Sequence, residues 1–120
     1  MTVLSLGADA KVPQGLSSVV DNLIHLYRER SIMSAYLIVD TELTDPELYE
    51  TYKVQAKPIV EKFGGEYLAR GGELTLKETD RWSPMRIVVI RFPNMTQAHA
   101  FYESEEYQKV LPISRQAANR

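Results

Sequence analysis

Apolar residues recur at Leu16, Val19, Val20, Leu23, Ile24 and Tyr27, the three-and-four spacing that puts them on one face of an amphipathic helix over about 17–30. Ser18, with Asp21 three residues on, has the spacing of a capping box, although Asp stands where Glu or Gln is usual. "AYLIVDT" (35–41) is a short run rich in β-preferring residues and predicts a buried strand. Its odd and even positions divide between two faces, so Tyr36, Ile38 and Asp40 share one side and Leu37, Val39 and Thr41 the other.

A second helix is expected over about 46–63. It opens either on Asp45 as N-cap with Pro46 at the first helical position or on Thr44 boxed with Glu47. Tyr49, Tyr52, Ala56, Ile59, Val60 and Phe63 form its inner stripe, and Pro58 is expected to kink or divide it near Ala56. "FGGEYLARGG" (63–72) follows. The first glycine pair has the position of a left-handed helix C-cap. The second, after Arg70, marks a bulge or a close approach of the backbone to another group, so Arg70 stands at an irregular sheet end. "LTLKETDRWSP" reads as an exposed ribbon or long loop, and "RIVVIRF" (86–92) as the clearest strand. Asn94 and Gln97 open a helix whose Met95, Ala98, Phe101 and Tyr102 face inward. Ser104 caps a further one, "EEYQKVLPISRQAANR", interrupted at Pro112.

After residue 33 the order is therefore strand, helix, strand, strand, helix. This split βαβ pattern predicts an α+β ferredoxin-like sandwich with an antiparallel sheet and helices on one face, over residues 33–120. Residues 1–32 form an N-terminal helical extension. "TVLSL" (2–6) has the composition of an edge strand, but a strand, a crossover helix and a strand normally give parallel neighbours, which argues instead for an arm on a sheet edge or on a partner.

Fourteen Lys plus Arg against sixteen Asp plus Glu leave a formal charge of -2, which offers no global attraction to nucleic acid or to an anionic membrane. No cysteine is present, so thiol catalysis and thiolate metal sites are excluded. The longest apolar runs fall well short of the roughly 18 residues of a membrane helix. With no basic, apolar leader at the start, a cytoplasmic bacterial protein is expected. GxSxG, GxGxxG, HExxH and P-loop motifs are all absent. His25 and His99 have no second histidine at the i, i+4 spacing of a helical zinc site, and a surface role suits His99 better than that of a general base. No metal or cofactor is expected.

The candidate ligand-binding residues are Tyr36, Asp40, Tyr67, Arg70, Trp82, Tyr107 and Arg115. A guanidinium at Arg70 or Arg115 can hold a carboxylate or phosphate in a planar fork; an ion pair of Arg70 with Asp40 or Glu42 is the structural alternative. Asp40, if buried, needs a partner and becomes an acid/base candidate. The tyrosines suit a core whose hydroxyls reach a cavity rim, and Trp82 suits a lid or an interface anchor.

"AYLIVDTELTDPELYETY", "FGGEYLARGGE", "RWSPMRIVVIRFPNM" and "AFYESEEYQKVLPISRQAA" together resemble, in order and spacing, the small bacterial proteins grouped as domain of unknown function 1330. The resemblance spans about Ser34 to Ala118. It implies a dimeric α/β-barrel type of subunit, a homodimer formed through the sheet face. Its members usually begin near the position of Met33 and continue past the last helix into a fourth strand, for which this chain has no counterpart after Arg120. The family has no agreed activity and so supplies no catalytic residue. The expected function is binding of a small acidic or aromatic ligand between sheet and helices, as a cofactor-independent oxygenase or isomerase. A non-catalytic dimeric sensor or interaction module is the first alternative, and a haem-binding protein with an inward histidine the second.

Overall fold

The computed structural model describes the backbone of Thr2–Ser5 together with residues 33–120. Strand β1 is Thr2–Ser5, β2 Ala35–Asp40, β3 Glu42–Leu43, and helix α1 Pro46–Lys62. Strands β4 (Glu66–Arg70) and β5 (Ile87–Phe92) come next. Helices α2 (Met95–Glu103) and α3 (Glu105–Ala117) follow, and β6 is Ala118–Asn119.

The main sheet runs β1-β2-β5-β4 with every neighbour antiparallel. β2 and β4 are thus parallel to one another with β5 inserted between them, which is the split βαβ unit of a ferredoxin-like α+β fold. Alternation along β2 and β5 does what the sequence pattern requires. Ala35, Leu37, Val39, Val88, Ile90 and Phe92 are buried beneath the helices, while Tyr36, Ile38, Ile87 and Val89 stay half-buried on the opposite face. The helices complete the core with Tyr49, Tyr52, Ala56 and Val60 from α1, Ala98 and Phe101 from α2, and Tyr107, Val110 and Leu111 from α3.

The helix starts are those the local chemistry dictates. Asp45, rather than Thr44, caps α1 by accepting from the Leu48 amide at 3.1 Å. Asn94 accepts from Gln97 N at 2.8 Å, and Ser104 Oγ from Tyr107 N at 3.1 Å. At the end of α1, Gly64 has φ 80°, and two amides return to the last turn: Gly64 N to Glu61 O at 3.0 Å and Gly65 N to Val60 O at 2.9 Å. This is a Schellman cap. The second glycine serves proximity, because a Cβ there would lie 2.5 Å from Val60 Cγ1.

Three expectations are corrected. Neither Pro58 nor Pro112 divides its helix. Both lie on the solvent side, as do Val54 and Gln108 four residues earlier, so the carbonyls that lose an amide donor are left to water. The last helix ends at Ala117, and Ala118–Asn119 pairs as β6 with β3. Finally, β1 is not an arm. It pairs antiparallel with β2 in the register Thr2 to Ile38 through Ser5 to Ala35, and takes the place beside β2 of the fourth strand expected of a ferredoxin-like sheet. Ser5 and Ala35 lie opposite one another, so β1 ends beside the start of β2, as antiparallel neighbours do. The helix expected over 17–30, like His25, lies outside the described residues.

Candidate functional site

A cavity lies between the inner sheet face and α1 and α3. Leu37, Val39, Val88 and Ile90 form its floor, Tyr49, Tyr52 and Ala56 one wall, and Phe101 and Tyr107 another. Its volume is about 30 Å³. That admits a compact group of a few heavy atoms and not a drug-sized body.

The cations among the described lining residues are Lys53, Arg70, Arg86 and Arg120, and no Asp or Glu side chain is among those residues. Each guanidinium lies against a tyrosine ring: Arg70 4.4 Å from the centroid of Tyr67, Arg120 5.2 Å from Tyr52, and Arg86 5.5 Å from Tyr49. Lys53 bonds Glu50 at 2.9 Å on the outer side. The arginines have no carboxylate partner among the described residues. Among the described residues Arg70 donates only to the Lys53 carbonyl, at a long 3.4 Å, and the buried Nη1 of Arg86 has no hydrogen-bond partner. The structural alternative, an ion pair of Arg70 with Asp40 or Glu42, is therefore not formed.

Local backbone devices aim these groups. Tyr67 and Arg70 are three residues apart and would lie on opposite faces of a regular strand. Between Tyr67 and Ala69 the register against β5 slips, leaving Leu68 as an extra residue, so that both Tyr67 and Arg70 reach the cavity. Gly71, with φ 72°, closes the strand. A Cβ there would lie 2.6 Å from Arg86 Nε, so glycine leaves the space in which that guanidinium sits. Gly71 of the second glycine pair thus answers to a close approach, whereas a Cβ on Gly72 would meet nothing within 4 Å, and the bulge itself is earlier, at Leu68. The short β3 and β6 pair, with Thr44 N and Asp45 N donating to Ala117 O at 2.8 and 2.9 Å, carries the chain back so that Arg120 enters the cavity.

Inside, Tyr52 and Tyr107 hydroxyls lie 2.8 Å apart, and Arg120 donates to both, at 3.1 and 3.0 Å. Burial, reinforced by Tyr107 and only partly opposed by Arg120, pushes the Tyr52 hydroxyl well above the ordinary tyrosine range. It stays protonated at any physiological pH. Burial likewise raises Tyr67, with Arg70 opposing. Burial alone would disfavour the charge on Arg120, but the two tyrosine oxygens outweigh it and the guanidinium is held charged. Two hydroxyls carry two protons, and their single mutual bond uses one. Because Arg120 is a donor too, the second proton has no acceptor in the cluster.

Of the residues singled out from the sequence, Tyr67, Arg70 and Tyr107 meet here. The others do not. Tyr36 and Asp40 share the opposite sheet face, Trp82 stands on the exposed loop 71–86, and Arg115 is exposed on α3. Asp40 and Trp82 do meet one another: the carboxylate accepts from the indole at 2.9 Å, from Met85 N at 2.9 Å and from Arg86 N at 3.3 Å. Desolvation would raise its pKa, but these hydrogen bonds, with one from the Thr41 amide, outweigh it and hold the carboxyl below its usual range. Asp40 thus ties down the loop that ends in Arg86. His99 is exposed. Lys53, Arg86 and Arg120 had not been singled out. A basic residue at the start of the clearest predicted strand is a signal for Arg86, and nothing local marks Arg120.

The chain is similar in fold to two solved structures. One is the crystal structure of a protein of unknown function from Rhodopseudomonas palustris, a structural genomics target (18% identity, 86% of this chain and 85% of that chain, TM-score 0.58). The other is that protein in methylated form (19% identity, 86% and 84%, TM-score 0.56). No match was found among curated proteins. The four separated stretches and the cavity they enclose all fall within residues 34–120, which match the family described as Domain of unknown function (DUF1330), and the chain belongs to that family.

Proposed function

We propose that this protein binds a small organic acid, whose acidic group enters the cavity between the sheet and α1 and α3. The observation that carries the reading is a lining whose charged side chains, Lys53, Arg70, Arg86 and Arg120, are all donors, joined by the spare tyrosine proton and with no Asp or Glu side chain among the described lining residues. Charged donors in a low-dielectric site are costly unless an acceptor meets them, and an anion supplies one. Among the described lining residues none is a carboxylate or imidazole that could serve as a base near neutrality, which favours binding over proton abstraction. The haem reading finds no support in His99, which is exposed.

A thermal-shift screen of small aromatic and keto acids tests the proposal. Phenylacetate in large excess over its Kd should raise the melting temperature by several degrees, since a hundredfold excess stabilises by about 2.7 kcal/mol. Phenylacetamide, the same body without charge, should do far less. Equal effects of acid and amide, or none from either, would sink the reading in favour of an interaction module.

The same reading includes a homodimer formed through the open sheet face, where Ile38, Ile87 and Val89 are half-buried beside exposed Leu68. An apolar face of this kind is stabilised by a second copy. Light scattering at micromolar concentration should report two chains per particle, and Val89→Lys should report one. A lone wild-type chain would refute it.

A further inference from the structure

Building on the reading of an acid-binding cavity, we infer that its ligand carries a dianionic, three-oxygen head group of the phosphate monoester type rather than a carboxylate. Arg70, Arg86 and Arg120 reach one cavity with no Asp or Glu side chain among its described lining residues, and Lys53 is already engaged by Glu50. A carboxylate brings a single charge and two oxygens. That would leave two of the three guanidinium charges uncompensated in a half-buried site, which is costly. A phosphate monoester brings a charge of about −1.5 to −2 and three acceptor oxygens.

The donors match that number and come from separate elements. Arg86 Nη1, at the entry to β5, has no hydrogen-bond partner among the described residues. Arg70, on β4, has among the described residues only one hydrogen bond, its long one to the Lys53 carbonyl. The Tyr52 and Tyr107 pair, from α1 and α3, holds the unused hydroxyl proton, and Arg120 keeps that pair polarised toward donation. Three directions of donation suit a tetrahedral group better than a planar one.

Volume agrees with charge. At about 30 Å³ the cavity takes the head group alone. Lys53 and Arg70 also border an open groove of about 480 Å³ along the outer side of α1, which includes Val54 and Pro58. The head group therefore sits inside with the body of the ligand leaving between Lys53 and Arg70 onto that surface. Val54, 73% exposed in mid-helix, offers the body an apolar contact.

The test uses phenyl phosphate and phenylacetate, titrated calorimetrically into the full chain, Arg86→Gln, Arg86→Lys and Arg115→Gln. Phenyl phosphate is expected to bind the wild type at least about tenfold tighter than phenylacetate. Arg86→Gln should lose most of that advantage, Arg86→Lys should keep part of it through the charge, and Arg115→Gln, altered at an exposed site on α3, should behave as wild type. An unchanged melting temperature of each free variant shows that the fold is intact. If Arg86→Gln melts early, the wild-type ratio and Arg86→Lys still decide. Equal affinity for both compounds in the wild type overturns the dianion while leaving the acid-binding cavity standing. Binding of neither compound, or binding untouched at Arg86 in a folded variant, overturns both.

Discussion

Phe101→Ala is expected to cost about 3–5 kcal/mol, a large part of the stability of a domain this size. Phe101 is 2% exposed, and its ring is central to the aromatic cluster: 4.5 Å from Tyr107, 5.3 Å from Phe92 and 6.4 Å from Phe63, centroid to centroid. Those partners come from α3, β5 and the end of α1. Truncation therefore opens a void where three elements meet, and none can move in without dragging its own helix or strand. Thermal melting should fall by roughly 10 °C or more. His99→Ala, on the exposed side of the same helix, should change stability by no more than about 0.5 kcal/mol. A loss below about 1 kcal/mol for Phe101→Ala would mean that the cluster does not hold the helices to the sheet.

What was legible in the sequence was what is decided within a few residues. Asp45, Asn94 and Ser104 cap their helices because a short side-chain oxygen reaches an amide three positions on, and that geometry belongs to the tetrapeptide alone. Gly64 was legible for the same reason. The inner stripe of α1 and the strand parity of β2 were readable because period decides burial.

The cavity was legible only in part, because long-range pairing decides the rest. Parity along "EYLAR" separates Tyr67 from Arg70; only the register slip against β5 unites them, and no local residue announces an extra Leu68. Arg120 enters the site through a two-residue pairing of β6 with β3, too short to leave a periodic pattern. The division of a helix expected at Pro112, and offered as one outcome at Pro58, occurs at neither. Their cost depends on whether the freed carbonyl meets water, and that is a property of the side of the helix the proline occupies rather than of the proline itself.

Proline at Val3 and proline at Leu4 are expected to differ sharply in effect, one destabilising by about 3 kcal/mol and the other much less. The reason lies in the edge position of β1. In an antiparallel pair, successive residues of an edge strand point their amides alternately toward the neighbouring strand and away from it. Val3 lies opposite Leu37 and Leu4 opposite Tyr36, so one of the two amides donates into the β2 ladder and the other faces outward. A proline at the first removes a ladder bond and strains the strand. At the second it removes nothing the sheet uses. The contrast separates a true strand from a loosely attached arm, which would tolerate both, and from a general sensitivity to proline, which would tolerate neither. Thermal melting of the two variants measures it. Deletion of residues 1–5 extends the test, since it leaves β2 an open edge of the sheet, and such edges recruit other chains. Light scattering should then rise on mild heating well before the wild type shows any change. A deletion variant that melts and scatters like the full chain would mean that β2 needs no neighbour on that side.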